Sequence, residues 1–382
     1  MKRLGLLLAA LPALAGCAVL THPSQHHPPM RLAGAIAGVR LADGYEDHPG
    51  VIHIHTTYSH DAQGRFEDAV RVANAQGLDF LIFTEHNNLR ALREGRQGWY
   101  GTVLALIGME ISTRAGHYVS MNVTREMDRE RMTAQQVIDE VNRQGGLGFI
   151  AHPYYKKARW SDWTVTGFTG IEGYNVAHDT LEENKLRLAL WTLGTPVDSF
   201  YYSIIDRPYD PLAKWDELIR RHGRLTGIGS ADAHEFHLAG LKFAPYEVMF
   251  QLIRTHVLTP PGRLTDAMVY DALRKGHAYF AIELLAEAKG FQFVAETDTA
   301  LVGVMGDDVP LQPMLRLTVS LPAPAQLVLF KDGQAIHSIT AQTWQVPISA
   351  PGAYRLEASR HGKPWIFSNP IYVRPALDSP SG

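Results

Sequence analysis

Imidazoles and carboxylates recur in six short clusters along the chain: His53-Ile-His55, Glu85-His86, Glu110, His117, His152-Pro153 and Asp232-Ala-His234. Nearly every one closes an apolar, strand-like run. Val51-Ile52 precedes His53, Phe80 to Thr84 precedes Glu85, Val103 to Ile107 leads to Glu110, Leu147 to Ala151 precedes His152, and Leu225 to Gly229 leads to Asp232. Side chains that cap buried strands converge on one rim of a sheet or barrel, and nitrogen and oxygen donors gathered there hold metal ions. One zinc ion uses three or four ligands, and roughly twice that supply is present. The pattern implies a multinuclear centre, whose chemistry is hydrolysis by activated water.

The clusters carry different weights. Two residues apart in a strand, His53 and His55 leave the same face. The polar loop Thr56-Thr57-Tyr58-Ser59-His60-Asp61 behind them brings further donors. The quartet Thr84-Glu85-His86-Asn87 ends a very apolar strand and is costly to bury unless it binds something. Glu110 is a lone carboxylate amid apolar residues, which a bridging metal ligand explains; the competing reading is an ion pair with Arg114. His117 and His152 taken singly read as hydrogen-bonded core histidines, and only the set makes them ligands. Outside the ligand set, Arg207, Lys156 and Lys157 are the candidates to grip an anionic group, against the plainer reading of solvated charges. Asn175 and His178 follow Gly170-Ile-Glu172-Gly-Tyr174, and His178 is a candidate to protonate or orient a leaving group. Trp99-Tyr100, Trp160 and Trp163 either line a pocket for an aromatic or nucleoside moiety or cover the mouth of the site.

The elements that must position these residues alternate. Apolar spacing predicts helices over 66–76, 133–144, 210–223 and 265–275, each ended by glycine, with Asp210-Pro211 suited to an N-cap and a first helical residue. Strands alternating with helices from about residue 50 to 285 mean parallel β/α units, hence an α/β barrel or a doubly wound sheet. After about 288 the period changes to two. Leu315–Leu321, the pair 326–330 and 335–339 about Asp332-Gly333, and the pair 353–359 and 364–367 about His361-Gly362 read as hairpins of a small antiparallel β-sandwich. This part holds no cluster of candidate ligands and is expected to be structural or docking. The predicted organisation is a signal segment 1–16, a tether 17–47, a catalytic domain 48–287, a β-sandwich 288–376 and a tail 377–382.

The 382-residue chain has a formal net charge of −3, no basic run and 46% hydrophobic residues, which exclude a nucleic-acid polymer as partner and indicate a sizeable core. Met1-Lys2-Arg3 and thirteen uncharged residues form a positive start and an apolar run too short to span a bilayer. Leu14-Ala15-Gly16-Cys17 resembles a bacterial lipobox, and Cys17 is the single cysteine of the chain, so no internal disulfide can form. The expectation is lipidation at Cys17, with Ala18 after it favouring an outer-membrane anchor facing the periplasm. The competing reading is an ordinary secretory signal.

The segments His53-Ile-His55-Thr-Thr-Tyr-Ser59, Thr84-Glu85-His86, Gly108-Met-Glu110, Ala151-His152-Pro153 and Gly229-Ser-Ala-Asp232-Ala-His234, in this order and spacing, resemble the signature motifs of the PHP (polymerase and histidinol phosphatase) superfamily. Gly116-His117 and the segment Gly362 to Tyr372 are similar to a secreted, carbaryl-hydrolase-like subgroup with an appended β-sandwich. The resemblance implies a distorted (β/α)7 TIM-like barrel holding two or three zinc, manganese or iron ions. It implies one ion on His53, His55, Glu110 and Asp232, a second on Glu110, His117 and His152, and a third on a first-loop carboxylate with His86 and His234. Two departures stand out. Glu85 replaces an aspartate of the second motif, and the first-loop position holds His60, with Asp61 next, so either could be the ligand. The activity implied is hydrolysis of small-molecule phosphate mono- or diesters. The alternatives are a carboxyl-ester or carbamate hydrolase on the same centre, and an inactive metal-binding envelope lipoprotein. The sequence does not give the oligomeric state.

Overall fold

A computed structural model describes residues 44–182, 197–238 and 241–376. The apolar start, Cys17, the tether as far as residue 43 and the tail from 377 lie outside the described residues. Parallel pairing joins β1 (Glu46–Ile54) to β2 (Phe80–His86) and β2 to β4 (Val103–Thr113), with the short β3 (Gly98–Tyr100) antiparallel on β4. It also joins β6 (Leu147–Ile150) to β7 (Gly170–Asn175) and β7 to β8 (Thr226–Ser230). At Gly170 a Cβ would lie 1.8 Å from the Thr226 carbonyl oxygen, so only glycine lets β7 and β8 approach there.

The parallel rhythm is broken at β5. β5 (Gly116–Met121) runs antiparallel to both β4 and β6, because Arg114-Ala115 is a hairpin turn, far too short for a helical crossover. The sheet then curls back on its first strand. The N–H groups of Ala231 and Ala233 donate to the carbonyls of Ile52 (3.0 Å) and His53 (3.2 Å), and that of His55 donates to Ala233 (3.0 Å). This contact is a single isolated bridge, Ile54 with Ala233, rather than a ladder. The result is a mixed α/β sheet bent around the candidate ligands, in keeping with the α/β class expected.

The expected helices form within a few residues. They are α1 (Phe66–Ala75), α3 (Ala134–Arg143), α5 (Tyr209–His222) and α7 (Asp266–Lys275), with the short α2 (Arg90–Arg93), α4 (Val197–Ile204) and α6 (Tyr246–Leu252) between them. Thr133 and Gln136 cap α3 reciprocally, and Thr265 caps α7. The start of α5 differs from expectation: Pro208 is its N-cap and Asp210 lies in its first turn. The face of α1 carrying Phe66, Ala69, Val70 and Ala73 is buried in the main apolar core.

β11 (Arg254–Thr259) pairs antiparallel with β1, and β12 (Ala278–Ala281) with β11. Beyond them lie β13 (Gln292–Glu296), β14 (Leu301–Val304), β15 (Asp308–Pro310), β16 (Arg316–Lys331), β17 (Gln334–Pro347), β18 (Gly352–Arg360), β19 (Lys363–Ser368) and β20 (Ile371–Arg374). Their pairings are antiparallel except β15 with β20. The two strand segments expected at 315–321 and 326–330 are one long strand, interrupted in its pairing with β17 where Pro322 and Pro324 lack N–H donors. Asp332 and Gly333, both at positive φ (53° and 83°), make the hairpin turn that Asp-Gly favours.

These strands are stitched to the preceding sheet. β19 pairs with β12, and the Asn369 side chain bonds Gly227 and Ala278. Arg355 of β18 makes two bonds to Asp216 of α5 (2.7 and 2.6 Å), with Glu357 beside it. The apolar core beneath β16–β20 includes Leu258 and Tyr279 from the earlier strands. Among the described residues no helix is long and apolar enough to cross a membrane.

Candidate metal centre

Backbone strain aims three of the candidate ligands. His53, His152 and Asp232 adopt φ of 67°, 23° and 48°, a region that side chains other than glycine's rarely enter. His53 sits on a bulge where the β1–β2 register shifts, and His152 and Asp232 lie just past the ends of β6 and β8. The convergence of His53 and His55, whose rings are 5.0 Å apart, therefore comes from this bulge and not from simple strand alternation. Glu110 lies inside β4, directly opposite His86 of β2.

Among the buried polar atoms of the described residues that lack a hydrogen-bond partner, four meet at one point: Nε2 of His53, Nε2 of His55, Oε2 of Glu110 and Oδ1 of Asp232. Each imidazole nitrogen stands 3.3 Å from the Glu110 oxygen and 3.4 Å from the Asp232 oxygen. Ligands held about 2.0–2.1 Å from a tetrahedral ion lie roughly 3.3–3.4 Å from one another. Buried polar atoms left unpaired are costly, and the four nitrogen–oxygen separations here match those of ligands on one ion. The donor set fits a divalent metal.

Around this core the other predicted ligands assemble. Oε1 of Glu110 is 2.6 Å from His117 Nδ1 and 2.9 Å from His152 Nε2. Asp61, His86 and His234 form a more open group, with Asp61 Oδ2 3.1 Å from His86 Nε2 and the two imidazole Nε2 atoms 3.4 Å apart. His60, 81% exposed at its side chain, stands outside, so Asp61 is the first-loop residue that faces the cluster. The Arg114 pairing is absent: that guanidinium bonds the Glu130 carbonyl.

The field at the centre is that of a cation site. Burial alone would neutralise Glu110 and Asp232, yet the surrounding imidazoles, His53 foremost, hold both carboxyls well below the usual range. Burial opposes the charge of His53, but Asp232, Glu172 and Glu110 outweigh it and raise its pKa well above the ordinary value. His86, likewise against burial, is raised to about 10 by Asp61 and Glu110. Burial and the neighbouring His234 push His55 down to about 4.

The cluster opens into a cavity of about 610 Å³ whose other wall includes Tyr155, Lys157, Tyr201, Phe236, Phe243 and Met249. Phe236 and Phe243, on the hairpin β9 (Phe236–Leu238) and β10 (Leu241–Phe243), stack 5.0 Å apart at 9°. His178 lines the cavity, with Nε2 2.8 Å from Asp232 Oδ2 and its ring stacked on Tyr155 at 3.6 Å. Arg207 is not brought to the site. Its guanidinium makes two 2.6 Å bonds to Glu357 of β18, so it helps fasten the C-terminal strands. Lys156 is exposed, Trp160 is buried, Trp163 packs near Tyr154, and Trp99 lies under Arg263, so the cavity's aromatic wall is a different set from the one the sequence suggested.

One residue escaped notice in the sequence. Glu172, fully buried on β7, accepts from His53 Nδ1 and from the His152 backbone N–H, both at 2.6 Å. A lone carboxylate in an apolar strand was the available signal, the same one that singled out Glu110.

Over 141 residues the chain is 28% identical to the uncharacterized protein MJ1587 of Methanocaldococcus jannaschii, covering 33% of this chain and 81% of that one. Two solved structures are similar at a remote level. A two-domain protein from Bacteroides vulgatus containing a predicted PHP-like metal-dependent phosphoesterase has a TM-score of 0.43 and 16% identity over 86% of this chain and 96% of its own. A candidate metal-dependent phosphoesterase from Bifidobacterium adolescentis has a TM-score of 0.31 and 15% identity over 59% of this chain and 95% of its own. Neither likeness is near enough to transfer an activity. The model of the PHP domain family matches residues 52–296, well over half of the chain and every candidate ligand strand, and the chain belongs to that family.

Proposed function

We propose that the chain is a metal-dependent hydrolase of small-molecule phosphate mono- or diesters. The observation that carries this reading is the convergence of four unpaired buried atoms of His53, His55, Glu110 and Asp232, each nitrogen 3.3–3.4 Å from both oxygens, beside an open cavity. Divalent ions bound there supply a water of lowered pKa and neutralise the charge gathering on a phosphoryl group under attack. Glu110, reaching both His53 and His55 through Oε2 and both His117 and His152 through Oε1, would be shared between two ions held by these residues. Asp61, His86 and His234 are the ligands of a third. His178, with Nε2 2.8 Å from Asp232 Oδ2 at the cavity edge, is the residue to orient or protonate a leaving oxygen. Lys157, which lines the same cavity, is the residue to meet the substrate's negative charge.

A second reading has its own observation. The wall formed by Tyr155, Tyr201, Phe236, Phe243 and Met249 is largely apolar, which suits a neutral carboxyl ester or carbamate of the carbaryl-hydrolase kind as well as an apolar phosphoester. We also propose that Cys17 is lipidated and that the protein faces the periplasm from the outer membrane, on the charged start, the short apolar run and the Leu-Ala-Gly-Cys segment. Metal-loaded protein assayed on aryl phosphomonoesters, phosphodiesters, carboxyl esters and carbamates tests the main reading. Turnover of a phosphoester that chelation abolishes and metal restores is the expected result. Turnover of esters or carbamates alone selects the second reading, and none at all with metal bound selects an inactive binding protein.

A further inference from the structure

Two buried carboxylates stand behind the cluster without facing its centre. Glu172 spends Oε1 on His53 Nδ1 (2.6 Å) and Oε2 on the His152 backbone N–H (2.6 Å) and Asn175 Nδ2 (2.9 Å). Asn175 Nδ2 in turn lies 3.3 Å from Asp232 Oδ2. Glu85 accepts from the Thr56 backbone N–H (3.1 Å), the Thr56 hydroxyl (2.6 Å) and the Ser59 hydroxyl (2.6 Å). Because the Ser59 proton goes to Glu85, its oxygen is left to accept from His55 Nδ1 (3.1 Å) and from the His86 backbone N–H (3.0 Å).

The hydrogen-bond logic fixes tautomers. An imidazole that donates from Nδ1 presents a lone pair at Nε2, so Glu172 turns His53 Nε2, and Glu85 through Ser59 turns His55 Nε2, toward the four-atom core. Glu172 also ties down the strained backbone of His152, and Glu85, again through Ser59, holds the backbone N–H of His86. The two systems share no atom.

We propose that Glu172 and Glu85 are positioning residues that divide the metal centre into two separately held halves, Glu172 governing His53 and His152 and Glu85 governing His55 and His86. This rests on the metal-centre reading above. The core site, with one histidine from each half, depends on both carboxylates. The site of Glu110, His117 and His152 depends on Glu172 alone, and the site of Asp61, His86 and His234 depends on Glu85 alone. Partners of this kind are worth about 10–100-fold in metal affinity.

The test is calorimetric titration of metal-stripped full-length protein with Mn²⁺ or Zn²⁺. Glu172→Gln and Glu85→Gln each weaken the core site by at least about tenfold and each leave a different site at wild-type affinity. Replacing His117 by Ala then removes the surviving ion from Glu85→Gln and spares it in Glu172→Gln; His234→Ala does the reverse. Wild-type protein that binds no metal sinks the metal-centre reading itself. Wild-type binding with both variants unchanged, or both variants losing the same sites, overturns the division alone. Should either Gln variant fail to fold, Glu172→Asp, which draws the carboxylate back from His53 and His152, and Ser59→Ala, which cuts the link from Glu85 to His55 and His86, must show the same selectivity.

Discussion

Replacing Glu110 with Gln removes one negative charge from the middle of the cluster while keeping its shape. Oε2 of Glu110 stands 3.3 Å from His53 and His55 Nε2 and 2.9 Å from His86 Nδ1, while Oε1 stands 2.6 Å from His117 Nδ1 and 2.9 Å from His152 Nε2. The amide turns one of those acceptors into an N–H donor aimed at ring nitrogens. Breaking a buried charge pair by deleting one partner costs about 3–5 kcal/mol, which at about 1.4 kcal/mol per decade is roughly 10²–10⁴ in affinity for each ion that lost its carboxylate. Turnover that needs both ions should fall by at least about 10³-fold. The assay is steady-state turnover of the best phosphoester at saturating Mn²⁺, with circular dichroism as the check that the fold persists. Retention of more than about a tenth of wild-type turnover by a folded variant would refute the bridging role.

Three further outcomes follow from other parts of the molecule. Cys17→Ser should move the protein from the membrane to the soluble fraction without loss of turnover, and a variant that still sediments with membranes contradicts lipid anchoring. His256 is fully buried between Asp47 (2.8 Å) and Glu283 (3.0 Å), which outweigh the effect of burial and raise its pKa to about 9. A folded pKa above the unfolded value of about 6.5 gives stability that is present in full below that value and is lost as pH rises through about 9. The melting temperature should therefore fall across that window in wild type and stay flatter in His256→Gln, and equal slopes would refute the account. Arg355→Met leaves the buried Asp216 without its partner and should cost about 3–5 kcal/mol in denaturant unfolding; adding Asp216→Asn should recover much of that loss, and no recovery would show that the pair is not the cause.

The cluster was legible in the sequence because it is expensive: polar residues closing apolar strands have few reasons to exist except binding. The helices were legible for a related reason, since Thr133, Thr265 and Gly276 announce their ends chemically. What the sequence hid is what depends on distance. Arg207 reads as a phosphate grip until β18, some 150 residues later, supplies Glu357. The turn at Arg114-Ala115 is visible, but nothing local says that β5 then inserts between β4 and β6. The aromatic wall was sought among tryptophans, whereas Phe236 and Phe243 are brought together by a hairpin only three residues long on each side. His53 was placed by strand alternation, and the bulge that aims it shows only in the backbone.

The central claim is that several ions share this one cluster, and elemental analysis tests it most directly. Protein purified without chelator, or stripped and reconstituted with manganese or zinc and then freed of excess metal, should hold at least two ions per chain. One ion or fewer per chain would contradict a multinuclear centre bridged by Glu110.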